Sequence, residues 1–146
     1  MSILNQVSVF VGGAQKSGTR SLRRYFSQHQ NIAIHSKPEG HFFDNDKNFI
    51  NDMPIPHLLD RYHNDFVIND ETNLLCDITP DYIFRKQSVA RIYHYNPHAI
   101  WIILLRNPID RAYSAWNMEV NRKAENLSFE EALQNTLSFR VFYQKC

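Results

Sequence analysis

Residues 7–22, Val-Ser-Val-Phe-Val-Gly-Gly-Ala-Gln-Lys-Ser-Gly-Thr-Arg-Ser-Leu, read as a buried strand running straight into a tight loop that opens a helix. The first amides of a helix have no intrahelical acceptor and carry the positive end of the macrodipole, so such a junction receives an anion. Gly18 lets the backbone approach a ligand, Lys16 adds a point charge, and Thr19 and Ser21 add hydroxyl donors. A nucleotide-hydrolysing P-loop needs Gly, four residues, Gly, then Lys and Ser or Thr. Gly13 and Gly18 have that spacing, but Thr19 and Arg20 follow, and the lysine precedes the second glycine. The lysine and the magnesium-binding hydroxyl of an ATPase, GTPase or nucleotide kinase are therefore out of place, which leaves that class as the lesser alternative.

Strand and helix patterns alternate along the rest of the chain. A helix over 18–29 puts Leu22, Tyr25 and Phe26 on one apolar face, and 31–35 reads as a short second strand. The loop 36–44 carries Phe42 and Phe43 as packing anchors, and 44–69, broken by Pro54 and Pro56, predicts short helices on the rim. Residues 73–78 predict a strand ended by Thr79 and Pro80, and 87–95 a helix with Val89, Ile92 and Tyr93 on one face. The apolar run 99–105 suits a parallel strand covered on both faces and is expected at the centre of the sheet. Asn107 is placed to cap a helix whose first residue is Pro108, with Ile109, Ala112, Tyr113, Trp116 and Val120 in one stripe. Ser128-Phe-Glu-Glu131 is a capping-box signature for a last helix bearing Leu133 and Leu137. The pattern predicts a P-loop-like, three-layer α/β fold, with a mainly parallel central sheet flanked by helices and ligands bound beyond the carboxyl ends of the strands.

With 146 residues and a formal net charge of +1, the chain has room for one domain and lacks the excess charge of a general nucleic-acid or membrane-surface binder. Any basic site must be local, and Lys16 and Arg20 supply it; Arg23 and Arg24 are expected on a solvated helix face. No charged leader with a long apolar segment and no membrane-length window is seen. Cys76 and Cys146 are too few for a disulfide framework or a zinc site, so a cytoplasmic setting is expected, although a trimmed Golgi-lumen enzyme would read the same. Four polar segments, 16–21, 39–44, 77–82 and 106–114, fall at strand ends. In a parallel sheet these ends share one edge, which predicts a site for two anions with a carboxylate between them.

In order, the chain carries Lys-x-Gly-Thr-Arg-x-Leu from Lys16, Glu-x-His-Phe-Phe-Asp from Glu39, Thr-Pro-x-Tyr from Thr79, Arg-Ile-Tyr-x-x-Asn-Pro from Arg91, and Leu-Arg-Asn-Pro-x-x-Arg-Ala-x-Ser from Leu105. This series resembles the sulfotransferase domain of glycosaminoglycan-modifying enzymes and their bacterial relatives, above all the heparan sulfate glucosaminyl 3-O-sulfotransferases. The resemblance implies an enzyme that moves a sulfuryl group from 3′-phosphoadenosine 5′-phosphosulfate (PAPS) to a hydroxyl or amine acceptor, carbohydrate first, and needs no metal. It puts Lys16 on the bridging oxygen and 5′-phosphate, with Ser17, Gly18, Thr19, Arg20 and Ser21 as surrounding donors, and Arg106 and Ser114 on the 3′-phosphate. Glu39 matches the catalytic base, His41 and Asp44 match residues near the acceptor, and His41 is counted with Lys16 and Glu39 as catalytic. Asp77 is expected to serve structure. The family lysine before the Thr-Pro step is Ile78 here, which leaves Lys37, another residue or nothing to replace it and puts the heparan acceptor in question. The resemblance also implies a domain cut short at its C-terminus, with a non-catalytic binder of PAPS or its product PAP (3′-phosphoadenosine 5′-phosphate) as the alternative.

Overall fold

The computed structural model of the chain describes residues 6–135. Leu137 and Cys146, named above, lie outside them. A sheet of four parallel strands forms the middle layer, in the order β2 (Ile32–Ile34), β5 (Leu74–Ile78), β1 (Val9–Gly13), β6 (Ile100–Ile103). Strand β1 is buried along its whole length, because it pairs with β5 on one side and β6 on the other and has a layer on each face.

Side-chain alternation divides the core. Val9, Val11, Cys76 and Ile78 face α1 (Thr19–Phe26), packing with Leu22 and Phe26. Phe10 and Leu75 point the other way, into an aromatic layer of Phe42, Phe43, Phe49, Tyr62, Phe66 and Tyr82. Phe10 and Phe43 meet edge-to-face at 5.6 Å, and Phe42 stacks on Tyr62 at 4.6 Å, the offset and T-shaped geometries that ring quadrupoles favour. Tyr62 belongs to α2 (Pro56–Asn64), and Ile92 of α3 (Lys86–Tyr95) joins the same layer. The loop aromatics Phe42 and Phe43 are thus core residues, as expected.

Several local expectations are corrected. The run 99–105 supplies an edge strand, not a central one: among the described residues β6 pairs only with β1, and Ile100 is 59% exposed. Apolar composition reports covered faces, whereas centrality depends on hydrogen-bonded edges. Segment 44–69 holds α2, a 3₁₀ turn at Asp46–Asn48 and an unforeseen hairpin of β3 (Phe49–Ile50) and β4 (Met53–Pro54), turned by Asn51 and Asp52 at φ 50 and 58. Two consecutive positive φ values are the signature of a type I′ turn, which Asn and Asp tolerate.

In α3 the buried stripe is Ser88, Arg91 and Ile92, while Val89 and Tyr93 are exposed. Arg91 is buried because Asp46, Asp52 and the Phe43 carbonyl take its guanidinium, which also lies 4.2 Å from the Phe49 ring centre. Tyr25, Ile109 and Tyr113 are likewise exposed. Arg23 is no solvated residue: it donates to the His35 carbonyl at 2.7 Å and to those of Ser36 and Pro38, clasping α1 to the loop after β2. The helix α4 (Pro108–Asn121) starts as expected, with Asn107 accepting from Ile109 and Asp110, and α5 (Phe129–Gln134) has the full capping box of Ser128 and Glu131.

Candidate active site

The carboxyl ends of the parallel strands deliver the predicted segments to one edge. From β1 the chain enters the loop through Lys16 at φ 67 and Gly18 at φ 99. Gly18 is the N-cap of α1 in the left-handed region, no side chain caps the helix, and its first turn has no acidic residue. The first amides therefore keep their donors for a ligand. A Cβ at Gly18 would meet nothing within 4 Å, so dihedral freedom is what the position requires.

Arg106 follows β6 and donates to the Lys16 carbonyl at 3.2 Å, while Ala14 and Leu104 are joined backbone to backbone at 2.8 Å. These bonds lock the loops after β1 and β6 side by side. Between them lies a cavity of about 550 Å³ lined by Lys16, Gly18, Thr19, Arg20, Glu39, Pro80, Arg106 and Ser114. Residues as far apart in sequence as Lys16 and Ser114 thus share one hollow, as a strand-end edge allows. Ser17, Ser21 and His41 are not part of the lining; the Ser17 hydroxyl is buried and lacks a hydrogen-bond partner. A second cavity, of about 380 Å³ beside β2, holds none of the predicted site residues.

The cavity is cationic. Burial lowers the Lys16 pKa, and Arg20, Arg122 and Arg106 lower it further, against a smaller opposing pull from Glu119. Arg122 escaped sequence reading. It lines the same wall of the cavity as Ser114, Asn117, Met118 and Asn121, a helical spacing along α4 and its C-cap that extends the wall from Ser114. It is paired with Glu119 at 3.1 Å. Lys37, the suggested substitute for the missing lysine, is bonded instead to Asp65 at 2.9 Å. Ile78 sits in the core against the α1 side of the sheet.

On the opposite wall, Glu39 Oε2 lies 2.9 Å from His41 Nε2, and His41 Nδ1 lies 2.7 Å from Asp44 Oδ2. A ring held between two carboxylates donates from both nitrogens, so it is an imidazolium. The bonds to Asp44 and then Glu39 push its pKa up to about 10, against desolvation. In return the hydrogen bond from His41 holds the Glu39 carboxyl below the usual range. One carboxylate oxygen each of Asp44 and Asp81 and one His41 ring nitrogen lie within 4.8 Å of one another. Asp77 is fully buried and off the cavity, where it accepts hydroxyl protons, in line with the structural role expected.

The family model of the sulfotransferase domain matches residues 6–146. Over 116 residues the chain is 28% identical to "Membrane-associated sulfotransferase kil1" of Dictyostelium discoideum, a match covering 80% of this chain and 24% of that protein. Over 111 residues it is 26% identical to heparan sulfate glucosamine 3-O-sulfotransferase 5 of Mus musculus, covering 76% of this chain and 30% of the relative. A crystal structure of a sulfotransferase from Alicyclobacillus acidocaldarius superposes with a TM-score of 0.76 at 30% identity, covering 95% of this chain and 62% of that one. The chain spans about a quarter to a third of the length of the curated relatives it matches. Among the described residues no helix is long and apolar enough to cross a membrane.

Proposed function

The chain belongs to the sulfotransferase domain family, and from that premise we propose that it transfers a sulfuryl group from PAPS to a hydroxyl or amine of a carbohydrate-class acceptor, leaving PAP. The observation that carries the reading is the single cavity in which Lys16, Arg20, Glu39, Arg106 and Ser114 converge from separate strand ends. The donor has a phosphosulfate at one end and a phosphate at the other. Two cationic stations match it: the uncapped start of α1 with Lys16, and Arg106 with Ser114. The cavity volume suits a nucleotide, and burial together with the neighbouring Arg20, Arg122 and Arg106 lowers the Lys16 pKa, an environment that a bound anion offsets.

Sulfuryl transfer, like phosphoryl transfer, leaves the protein mainly positioning and charge stabilisation. Lys16 neutralises charge developing on the leaving oxygen, without a metal. The α1 amides, Thr19 and Arg20 hold the 5′ end, with Ser17 and Ser21 as flanking hydroxyls, and Arg106 and Ser114 select the 3′-phosphate. Glu39 takes the proton from the acceptor as it attacks in line. His41 is already protonated and so is no base; it holds Glu39 in place and keeps it ionised.

Thermal unfolding with PAP, with ADP plus magnesium, and with neither ligand tests the donor site. PAP alone raises the midpoint, and Arg106→Ala weakens PAP binding about 10- to 100-fold, the worth of a charge-assisted contact to phosphate. A midpoint raised only by ADP with magnesium overturns the reading in favour of a nucleotide hydrolase or kinase.

A further inference from the structure

Below the Glu39 loop, outside the cavity, lies a buried polar cluster that the transfer chemistry does not use. Asp77, on β5, has no solvent exposure. Its Oδ1 accepts the Thr79 hydroxyl at 2.7 Å, and its Oδ2 accepts those of Tyr62 at 2.7 Å and Tyr82 at 2.8 Å. A hydroxyl has one proton to donate. Once Thr79 and Tyr82 give theirs to Asp77, their oxygens offer only lone pairs to everything else.

Those lone pairs meet the loop. Thr79 Oγ1 accepts the Gly40 amide at 2.9 Å and, more weakly, the His41 amide at 3.4 Å, and Tyr82 Oη accepts the Phe42 amide at 3.1 Å. Three consecutive amides, flanked by Glu39 and including that of His41, are thus read by two oxygens whose polarity one carboxylate sets. The loop also rests on that carboxylate, since a Cβ at Gly40 would lie 2.8 Å from Asp77 Oδ2. His41 sits at φ 51, a left-handed conformation unfavourable to a residue with a Cβ, which must be held by its surroundings.

We propose that Asp77 is a positioning residue, which, by orienting the Thr79 and Tyr82 hydroxyls, sets the backbone of residues 40–42 and thereby the placement of Glu39 and His41 at the cavity. The catalytic consequence rests on the transfer function proposed above; the structural claim stands apart from it. An apolar group at position 77 has no acceptor for the three hydroxyls, and an amide has the wrong polarity on one side. An amide offers its own N–H to one hydroxyl, whose proton must then turn toward the loop N–H it should accept.

The test is NMR of the His41 ring, faced by Glu39 and Asp44 of its own loop and by Asp81 from the turn after β5. In the parent, the bonds to Asp44 and Glu39 push the His41 pKa up to about 10, and the NMR midpoint is expected there. In the full chain carrying Asp77→Asn or Thr79→Val, the midpoint falls by about one unit or more, because the ring leaves its two carboxylates. Thr79→Ser, which keeps the hydroxyl, restores it. Thr79→Val matches the parent residue in shape and keeps the chain testable should Asp77→Asn not fold. PAP affinity stays within about twofold in each variant, while kcat for transfer falls tenfold or more in Asp77→Asn and Thr79→Val and is kept in Thr79→Ser. A folded Thr79→Val protein whose His41 midpoint equals that of the parent overturns the proposal. Failure of the parent itself to bind PAP strikes the transfer function and leaves the His41 result to decide the positioning claim.

Discussion

Replacing Gly40 by alanine puts a methyl group where the loop touches Asp77. The new Cβ would sit 2.8 Å from Oδ2, 3.1 Å from Oδ1 and 3.2 Å from Cγ, whereas ordinary contact begins near 3.4 Å, so loop and carboxylate must part by about 0.6 Å. Neither gives easily. The carboxylate is tied to three hydroxyls at 2.7 to 2.8 Å, and lifting the loop stretches the 2.9 Å bond from Gly40 N to Thr79 Oγ1 to the limit of a hydrogen bond. Overpacking of a tight site plus a weakened buried bond costs about 1–3 kcal/mol, or about 3–10 °C in Tm for a domain of this size. Differential scanning calorimetry reads the loss, and PAP titration shows donor affinity intact. Gly18→Ala is the counterpart: its methyl finds open space, and the cost of about 1–2 kcal/mol arises from φ 99 alone, with weakened PAP binding because the first amides of α1 shift. A Gly40→Ala protein melting within about 1 °C of its parent would show that the loop does not bear on Asp77.

Three further outcomes follow from the electrostatics and caps. Lys16 has a lowered pKa in the free cavity, and a bound polyanion raises it, so PAP binds best when Lys16 is charged. Affinity measured above pH 7.5, clear of the phosphate pKa near 6, should decline before the ordinary lysine range, and Lys16→Arg should flatten that decline; a flat profile in the parent refutes the lowered Lys16 pKa. His41 has a folded-state pKa of about 10 against an ordinary 6.5, so its contribution to stability is complete below about 6.5, erodes as pH rises and is gone above about 10. Because the ring is half-exposed the contribution is screened to about 1–2 kcal/mol, visible as a fall in the urea midpoint from pH 6 to 10 that His41→Gln lacks. Asn107→Ala removes the cap of α4 and should cost about 1 kcal/mol by urea unfolding, with a few-fold loss of PAP affinity because Arg106 adjoins it.

The two walls of the cavity differ in how they are built. The Lys16 wall rests on regular structure, the uncapped start of α1 and the start of α4 capped by the adjacent Asn107, whose direction local sequence sets. The Glu39 wall is irregular chain. Its geometry depends on Phe42 and Phe43 in the aromatic core, on Arg23 holding the carbonyls of residues 35, 36 and 38, and on the cluster around Asp77. Disturbance of the core therefore reaches Glu39 sooner than Lys16.

Much of this was legible in the residues alone. The strand–loop–helix at Lys16, the Asn107 cap and the Ser128 capping box are local devices, in which a few neighbouring side chains dictate the backbone. Alternation of strands and helices suffices for the parallel sheet, and parallel strands place their loops at one edge, so the sequence alone gathers Lys16, Glu39 and Arg106. Long-range matters were decided by the tertiary structure. Which edge β6 occupies, why Arg91 is buried among Asp46, Asp52 and Phe49, and that Arg122 reaches the cavity depend on partners dozens of residues away. The charge of His41 is of the same kind: Glu39 and Asp44 are near in sequence, but only the folded loop, held from below by Thr79 and Tyr82, brings both carboxylates to one ring. Electrostatics inside a protein follow distance and burial, and a linear sequence specifies neither.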